Sequence, residues 1–367
     1  MSRLTSTERV ALLAIAALTA IAGVANYGQW AAVPRFAVAT LALAGLAWVV
    51  SFATEQLGER FGPAVTGMMQ STLGNLPELF VVIFALQKGE LVVAQTAIVG
   101  SIFANAMLVL GLVIVVGALR APDGVMRFSH RLPRDTTTLL LVCVFIIVLL
   151  GLSLASHDHA SHHVDVISAV GAVSLLVVYL AWVVPYLRAD TLPGTGKLPG
   201  AEEDTSEREP ERAGARLSLR LTLALLLIAG VASAFVSDWF VNGLAPAIVQ
   251  LKISQAFAGL VIVAIAGNAV ENTAGIVLAW KGRSDLAISV VKNSVAQIAA
   301  FLFPLLVLIS FLLATTLTFA LAPVYIGALL VMALAMWQIT GDGEAAAFEG
   351  WALVALYVIL ATLTLYE

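Results

Sequence analysis

Along the chain's 367 residues, apolar stretches of about 20 positions alternate with short charged breaks from one end to the other. Each stretch would carry a helix across a hydrocarbon core roughly 30 Å thick. Eleven are predicted, at about 9–26, 35–54, 62–86, 91–119, 134–155, 164–187, 217–240, 254–280, 286–311, 313–338 and 349–366. Lipid offers the backbone no hydrogen-bond partners, so the expected fold is an all-α polytopic membrane protein whose helices satisfy themselves. One polar stretch breaks the rhythm. Residues 189–216 carry Asp190, Glu202, Glu203, Asp204, Glu207, Glu209 and Glu211 among Arg and Pro, and read as a solvated tether. On either side lie five predicted helices, in residues 31–188 and 217–367, with one extra N-terminal helix in residues 1–30.

Composition narrows the function classes. The chain is 60% hydrophobic and 11% charged, whereas a soluble domain runs near 25% charged. That leaves no room for a large soluble catalytic domain. A net charge of −4 gives no nucleic-acid footprint. Cys143 stands alone inside an apolar run, so neither a disulfide framework nor a cysteine metal cluster is expected.

Charge also sets orientation. Fifteen of the nineteen Lys and Arg fall on the side of the N-terminus and of every second loop after it. Arg35, Lys88 and Lys252 fall on the other side, and Lys292 lies within a span. By the positive-inside rule the N-terminus and the acidic tether are cytoplasmic and the C-terminus is outside. A prokaryotic inner membrane suits so compact a chain. Arg3, Arg9 and the small residues near Ala25 also resemble a signal peptide, but the segment is expected to remain as a helix.

The two halves repeat one another. Gly74-Asn75-Leu76-Pro77-Glu78 reappears 193 positions later as Gly267-Asn268-Ala269-Val270-Glu271. At the same offset Lys88-Gly89 matches Lys281-Gly282 and Ser101 matches Ser294, with Asn105 and Gln297 supplying an amide after each serine. The unit is an apolar helix bearing G-N-x-x-E, a K-G turn, and a helix of small and amide residues. The offset covers five helices, an odd number, so the copies are expected to enter the membrane in opposite directions. Inverted-topology repeats with polar, interrupted helices near the midplane are the architecture of secondary transporters.

Glu78 and Glu271 are the candidate proton-coupling acids. A carboxylate inside the bilayer is expensive and marks a functional position unless a base neutralises it. Only Lys292 is available within a span, for two acids. Ser71, Asn75 and Glu78 are spaced to share one helix face, as are Asn268 and Glu271. Ser101 with Asn105, and Ser294 with Gln297, project likewise from the following helices. If these helices converge, the set is all oxygen, without thiol or imidazole, and suits a hard cation. Ca²⁺ takes six to eight oxygens, and two glutamates balance its charge. Backbone carbonyls near Gly74 and Gly267 are expected to complete the metal site, because glycine weakens each helix there. Pro77 has no N–H and leaves the carbonyl of Leu73 unbonded. Val270 stands in the proline position of the second copy, so the copies are unequal. A desolvated carboxylate favours its proton and yields it to an arriving divalent cation, which makes exchange possible. No resident cofactor is expected.

At these residues the sequence resembles the cation/proton exchangers (CAX type) of the Ca²⁺:cation antiporter superfamily. The matching stretches are GNLPELFVVIFALQKGELVVAQTAIVGSIFANAMLVLG at 74–111, GNAVENTAGIVLAWKGRSDLAISVVKNSVAQIAAFLFPLLVL at 267–308 and GDGEAAAFEGWALVALY at 341–357. The resemblance implies Ca²⁺ export by alternating access, driven by inward proton flow. Its essential acids fall on Glu78 and Glu271, and its polar positions on Asn75, Asn268, Ser101, Asn105, Ser294 and Gln297. There are departures. Pro77 replaces an alanine-like residue, and the second copy reads Asn293-Ser294 after an unusual Lys292. That lysine is expected to snorkel or face away; a cation inside the bundle would instead tune ion preference or oppose divalent binding.

The remaining polar features have plainer readings. The HDHASHH run from His157 to His163 reads as an outer polar loop, with Zn²⁺ binding or pH sensing as its alternative. Glu55, Glu59 and Glu90 read as interfacial charges. The tether lacks the EF-hand pattern, and GTGK at 194–197 lacks P-loop spacing, so no ATP drive is implied. The alternatives to Ca²⁺/H⁺ exchange are a Na⁺ or K⁺/H⁺ antiporter on the same scaffold and a cation channel. An intramembrane metalloprotease lacks its H-E-x-x-H.

Overall fold

A computed structural model describes residues 4–58, 73–129, 131–191 and 217–367. Ser71, Glu59 and residues 192–216 of the tether lie outside the described residues. In chain order the helices are α1 (Ser6–Tyr27), α2 (Ala32–Gly58), α3 (Leu76–Gln87), α4 (Leu91–Arg120), α5 (Arg131–Ser156) and α6 (Val164–Thr191). After the tether come α7 (Leu219–Leu251), α8 (Gln255–Gly267), α9 (Ala269–Trp280), α10 (Ser284–Ser310), α11 (Pro323–Thr340) and α12 (Ala347–Leu365). Among the described residues, nine of these are long and apolar enough to cross a membrane. The pair α8–α9, bent by 57°, is a tenth if it forms one span, and the expected stretch at 62–86 runs over residues outside the described ones, with the short apolar α3 at its end. The fold is thus two inverted-topology five-helix repeats behind one extra N-terminal helix. That first helix starts on a capping box, with Thr5 N–H donating to Glu8 (2.7 Å) and Glu8 N–H to Thr5 Oγ1 (3.2 Å).

The repeat offset is carried by the backbone itself. Adding 193 to the bounds of α3 gives those of α9, and Leu91, which opens α4, maps onto Ser284, which opens α10. Both K-G turns close on a left-handed glycine, Gly89 at φ +78° and Gly282 at φ +76°. Glycine tolerates that conformation at no steric cost. Both following helices then pass through a π segment, at Ala104–Val109 and at Ile298–Leu302. Such segments inside α-helices concentrate at functional sites.

Two predicted spans differ from the structure. The stretch at 217–240 continues to Leu251. Near the expected end, exposed Asn242 donates through Nδ2 to half-buried Asp238 one turn back (3.1 Å). Pro246 cannot donate to the carbonyl of Asn242, four residues back. Arg35 Nη2 donates to that carbonyl instead, at 3.4 Å. The stretch at 313–338 starts only at Pro323, because residues 311–322 are irregular. Their backbone is satisfied by side chains: Leu317 N–H donates to Ser310 Oγ (2.8 Å) and Phe319 N–H to Ser168 Oγ (3.2 Å). Gln95 donates to the carbonyl of Ala320 (3.0 Å). Leu317 and Phe319 are buried, so this run is apolar because it lies in the core, not because it is helical.

The chain forms two compact units that each draw on both halves. The first comprises residues 1–81 and 182–251. Here α2 lies along α7, with Gly243 against Phe36 and the Phe36 and Phe240 rings 5.0 Å apart. Leu73 packs beside Val49, Val50, Ala229 and Leu226. The second comprises residues 82–181 and 252–367. In it α4 crosses α8 at Gly100 and Gly259, and meets α12 at Gly111 and Gly350. A two-stranded antiparallel ribbon, β1 (Val125–Arg127) with β2 (Glu344–Ala346), ties two of its loops together.

Candidate cation site

The G-N-x-x-E motif breaks its helix in both copies. Asn75 forms a turn just before α3, and Asn268 separates α8 from α9 at φ −94°, ψ 10°. Gly74 and Gly267 immediately precede the two breaks. Each asparagine carbonyl accepts the first bond of the new helix, from Leu79 N–H (3.0 Å) and from Asn272 N–H (2.9 Å). Glu78 then stands in the first turn of α3, and Glu271 holds the equivalent backbone position in α9. A helix start carries partial positive charge, so a carboxylate there is stabilised and turns a cation-repelling end into an attractive one.

In the first unit Asn75 and Glu78 are buried, 5% and 4% exposed. Ser237 on α7 donates to the carbonyl of Pro77 (3.4 Å), bracing the turn that carries Glu78. Nothing in the repeat pointed to this serine, since α7 lies outside the duplicated stretch.

The second unit brings four of the expected residues into one hydrogen-bonded cluster. Asn105 Nδ2 donates to Asn268 Oδ1 (3.0 Å) and to Ser294 Oγ (3.4 Å). Asn268 Nδ2 donates to Ser101 Oγ (3.0 Å) and to the carbonyl of Ala264 (2.9 Å). All four residues and Gln297 are buried. Asn105 Oδ1 and Gln297 Oε1 are buried acceptors without a donor among the described residues, as are the Oδ1 atoms of Asn272 and Asn293. Buried polar atoms are otherwise nearly always paired, so unmatched amide oxygens fit a cation or a water. Asn272, beside Glu271, was missed in the sequence; its signal was a second amide inside the G-N-x-x-E-N run.

Truncating the cluster should be costly. Asn268→Ala leaves Asn105 Nδ2 only its longer bond to Ser294 and takes the amide donor from Ser101 Oγ, and is expected to destabilise the protein by about 1–3 kcal/mol. A lowered melting temperature of the purified protein in detergent checks this. An unchanged one would mean that the cluster contributes nothing.

Lys292 departs from expectation in part. It does not snorkel: it is 1% exposed and donates to Thr340 Oγ1 (2.6 Å) and Thr137 Oγ1 (3.1 Å). It does face away from the cluster, because those threonines come from α11 and α5. Two hydroxyls inside the bundle replace the headgroup water that snorkelling would have reached.

The histidine loop is exposed, and His159–His163 forms a 3₁₀ turn. Its cap, Asp158, accepts from Ser153 Oγ (2.5 Å) and Ser161 N–H (3.1 Å). The Ser153 bond, first of all, holds its carboxyl below the usual range. The cap's contribution is therefore present above the ordinary carboxylate pKa and lost as pH falls through the lowered value. Protection of the Ser161 amide from hydrogen exchange, relative to its intrinsic rate, is expected to be lost in Asp158→Ala at neutral pH and in the unaltered protein only as pH falls through the lowered carboxyl value. Exchange equal in both at neutral pH would contradict the cap. Among the described residues, no three His, Cys, Asp or Glu side chains converge to hold a metal. Glu55 is exposed, and Glu90 accepts from Gln255 (3.0 Å).

The sodium/calcium exchanger protein family model matches residues 32–185 and 221–366, which covers both halves and both breaks. The chain belongs to this exchanger family. A relative in it, the vacuolar calcium ion transporter of Schizosaccharomyces pombe, is 31% identical over 343 residues, 92% of this chain and 80% of its own length. The Ca(2+)/H(+) antiporter ChaA of Bacillus subtilis is 28% identical over 96% of this chain and 98% of its own. Among solved structures, native YfkE superposes with a TM-score of 0.78 at 25% identity, covering 97% of this exchanger and all of that chain.

Proposed function

We propose that this protein is a secondary active transporter that exports Ca²⁺ in exchange for H⁺ by alternating access, with Glu78 and Glu271 each holding either the cation or a proton. One observation carries the reading. The same helix break, with an amide at the turn and an acid three residues on, occurs in both inverted copies at one offset. Relatives named as calcium transporters and Ca²⁺/H⁺ antiporters support the choice of ions.

The chemistry follows from the carboxylates. A protonated pair is neutral and crosses between access states without an uncompensated charge in the bilayer. On the Ca²⁺-loaded side each carboxylate releases its proton and offers oxygen to a cation. In the first unit Asn75 and the carbonyl at Gly74 are the further oxygens beside Glu78; in the second they are Asn105, Asn268, Ser101, Ser294, Gln297 and the carbonyl at Gly267. On the acidic side protons return and Ca²⁺ leaves. We place the N-terminus and the tether in the cytoplasm and the C-terminus outside, in a prokaryotic inner membrane, following the Lys and Arg distribution.

A monovalent exchanger is the second reading, favoured by the buried amine of Lys292 inside the bundle. Proteoliposomes with entrapped dyes, offered Ca²⁺, Na⁺ and K⁺ in competition under one pH gradient, separate the two. Ca²⁺ movement that persists in excess Na⁺ and K⁺ supports the proposal; cation-driven proton movement with Na⁺ or K⁺ alone overturns the choice of ion.

A further inference from the structure

The exchange chemistry leaves Lys292 without a task, although its surroundings are built to hold it. Lys292 and Ser294 are two residues apart on α10, a rotation of about 200°. The lysine therefore leaves the helix on the side opposite the Asn105–Asn268–Ser294 cluster. There Thr340 Oγ1 donates its own hydrogen to the carbonyl of Met336 (2.6 Å) and turns a lone pair to Lys292. Thr340 is the last residue of α11, where the helix dipole is negative and favours a cation. Thr137 on α5 accepts a second bond at 3.1 Å. A buried lysine is costly unless such partners hold it. A leucine would fill the same space without that cost, so the two hydroxyl acceptors serve the amine of Lys292 and not its volume.

We propose that Lys292 is a specificity-determining residue: a resident positive charge, set behind the polar face of α10, that sets how divalent cations compete with monovalent ones. This rests on the assignment of Ser294 and Gln297 as cation-facing oxygens. A fixed charge repels a divalent ion twice as strongly as a monovalent ion at the same place. Removing it strengthens Ca²⁺ binding by the square of the factor for Na⁺. A role confined to packing has no such signature, because a loosened site weakens both ions alike.

The test is calorimetric titration of the detergent-purified full chain with CaCl₂ and NaCl at constant ionic strength. The unaltered protein is compared with Lys292→Met, Lys292→Gln and Lys292→Arg. Met and Gln are expected to tighten Ca²⁺ about tenfold and Na⁺ about threefold, following the twofold charge ratio. Arg, which keeps the charge, leaves both as they were. Equal factors for the two ions, or no change, overturn the proposal. If Met and Gln fail to fold while Arg folds, Lys292 is a structural brace and the proposal again falls. Unaltered protein that binds Ca²⁺ without exchanging it for protons loses the proposed function but leaves this inference standing. Protein that binds neither ion loses both.

Discussion

Glu78→Gln is expected to abolish proton-coupled Ca²⁺ movement while leaving the fold intact. Glutamine matches the shape of glutamate and keeps its hydrogen-bonding reach, but it carries neither the negative charge nor the exchangeable proton. Glu78 is 4% exposed at the start of α3, so no water compensates for the lost charge. The initial rate of Ca²⁺ uptake should fall about a hundredfold or more, as expected when a charged partner worth ~3 kcal/mol is lost. Glu271→Gln should do the same, since it holds the equivalent place in α9. Glu78→Asp keeps the charge one methylene short and should retain measurable exchange. Uptake in the glutamine variant close to the unaltered rate would remove Glu78 from the exchange chemistry.

The second large effect concerns a position with no polar chemistry at all. Gly100 precedes Ser101 on α4, and a Cβ there would lie 2.5 Å from Leu260 Cα and 2.6 Å from Leu260 O. Both are backbone atoms of α8, so no rotamer change relieves the clash. Gly100→Val should drive α4 from α8 and pull Ser101 from Asn268, costing about 3 kcal/mol or more by overpacking combined with a broken buried bond. Loss of monodisperse protein in detergent, or a sharply lowered melting temperature, is the expected result. Gly230 in α7 is the control, with nothing within 4 Å of its built Cβ. Gly230→Ala should raise stability by about 0.5–1 kcal/mol through helix propensity. Equal behaviour of the two variants would contradict the close crossing.

The repeat was legible in the sequence because a local rule sets each of its parts. Glycine marks the left-handed turns at Gly89 and Gly282, and the Gly-Asn pairs mark the breaks at Asn75 and Asn268. The cluster of Asn105, Asn268, Ser101 and Ser294 followed from the same offset. What stayed hidden depends on contacts between distant residues. Apolar periodicity does not separate a buried irregular segment from a helix, so residues 311–322 read as part of a span. The extension of α7 past Pro246 needs Arg35, more than 200 positions away, to take the carbonyl of Asn242. Likewise nothing near Lys292 announced Thr137 and Thr340, and Ser237 lies outside the repeated motif.

The central claim is that Ca²⁺ and protons share the same acids and therefore move only in exchange. The most direct measurement follows Ca²⁺ and pH together inside proteoliposomes that start with equal Ca²⁺ on both sides, with the pH gradient then imposed in either direction. The account predicts that Ca²⁺ accumulates on the more acidic side, against its own gradient, that its direction reverses with the pH gradient, and that Glu78→Gln stops both fluxes. Ca²⁺ that stays level under either pH gradient and runs only downhill would contradict exchange and make the protein a channel.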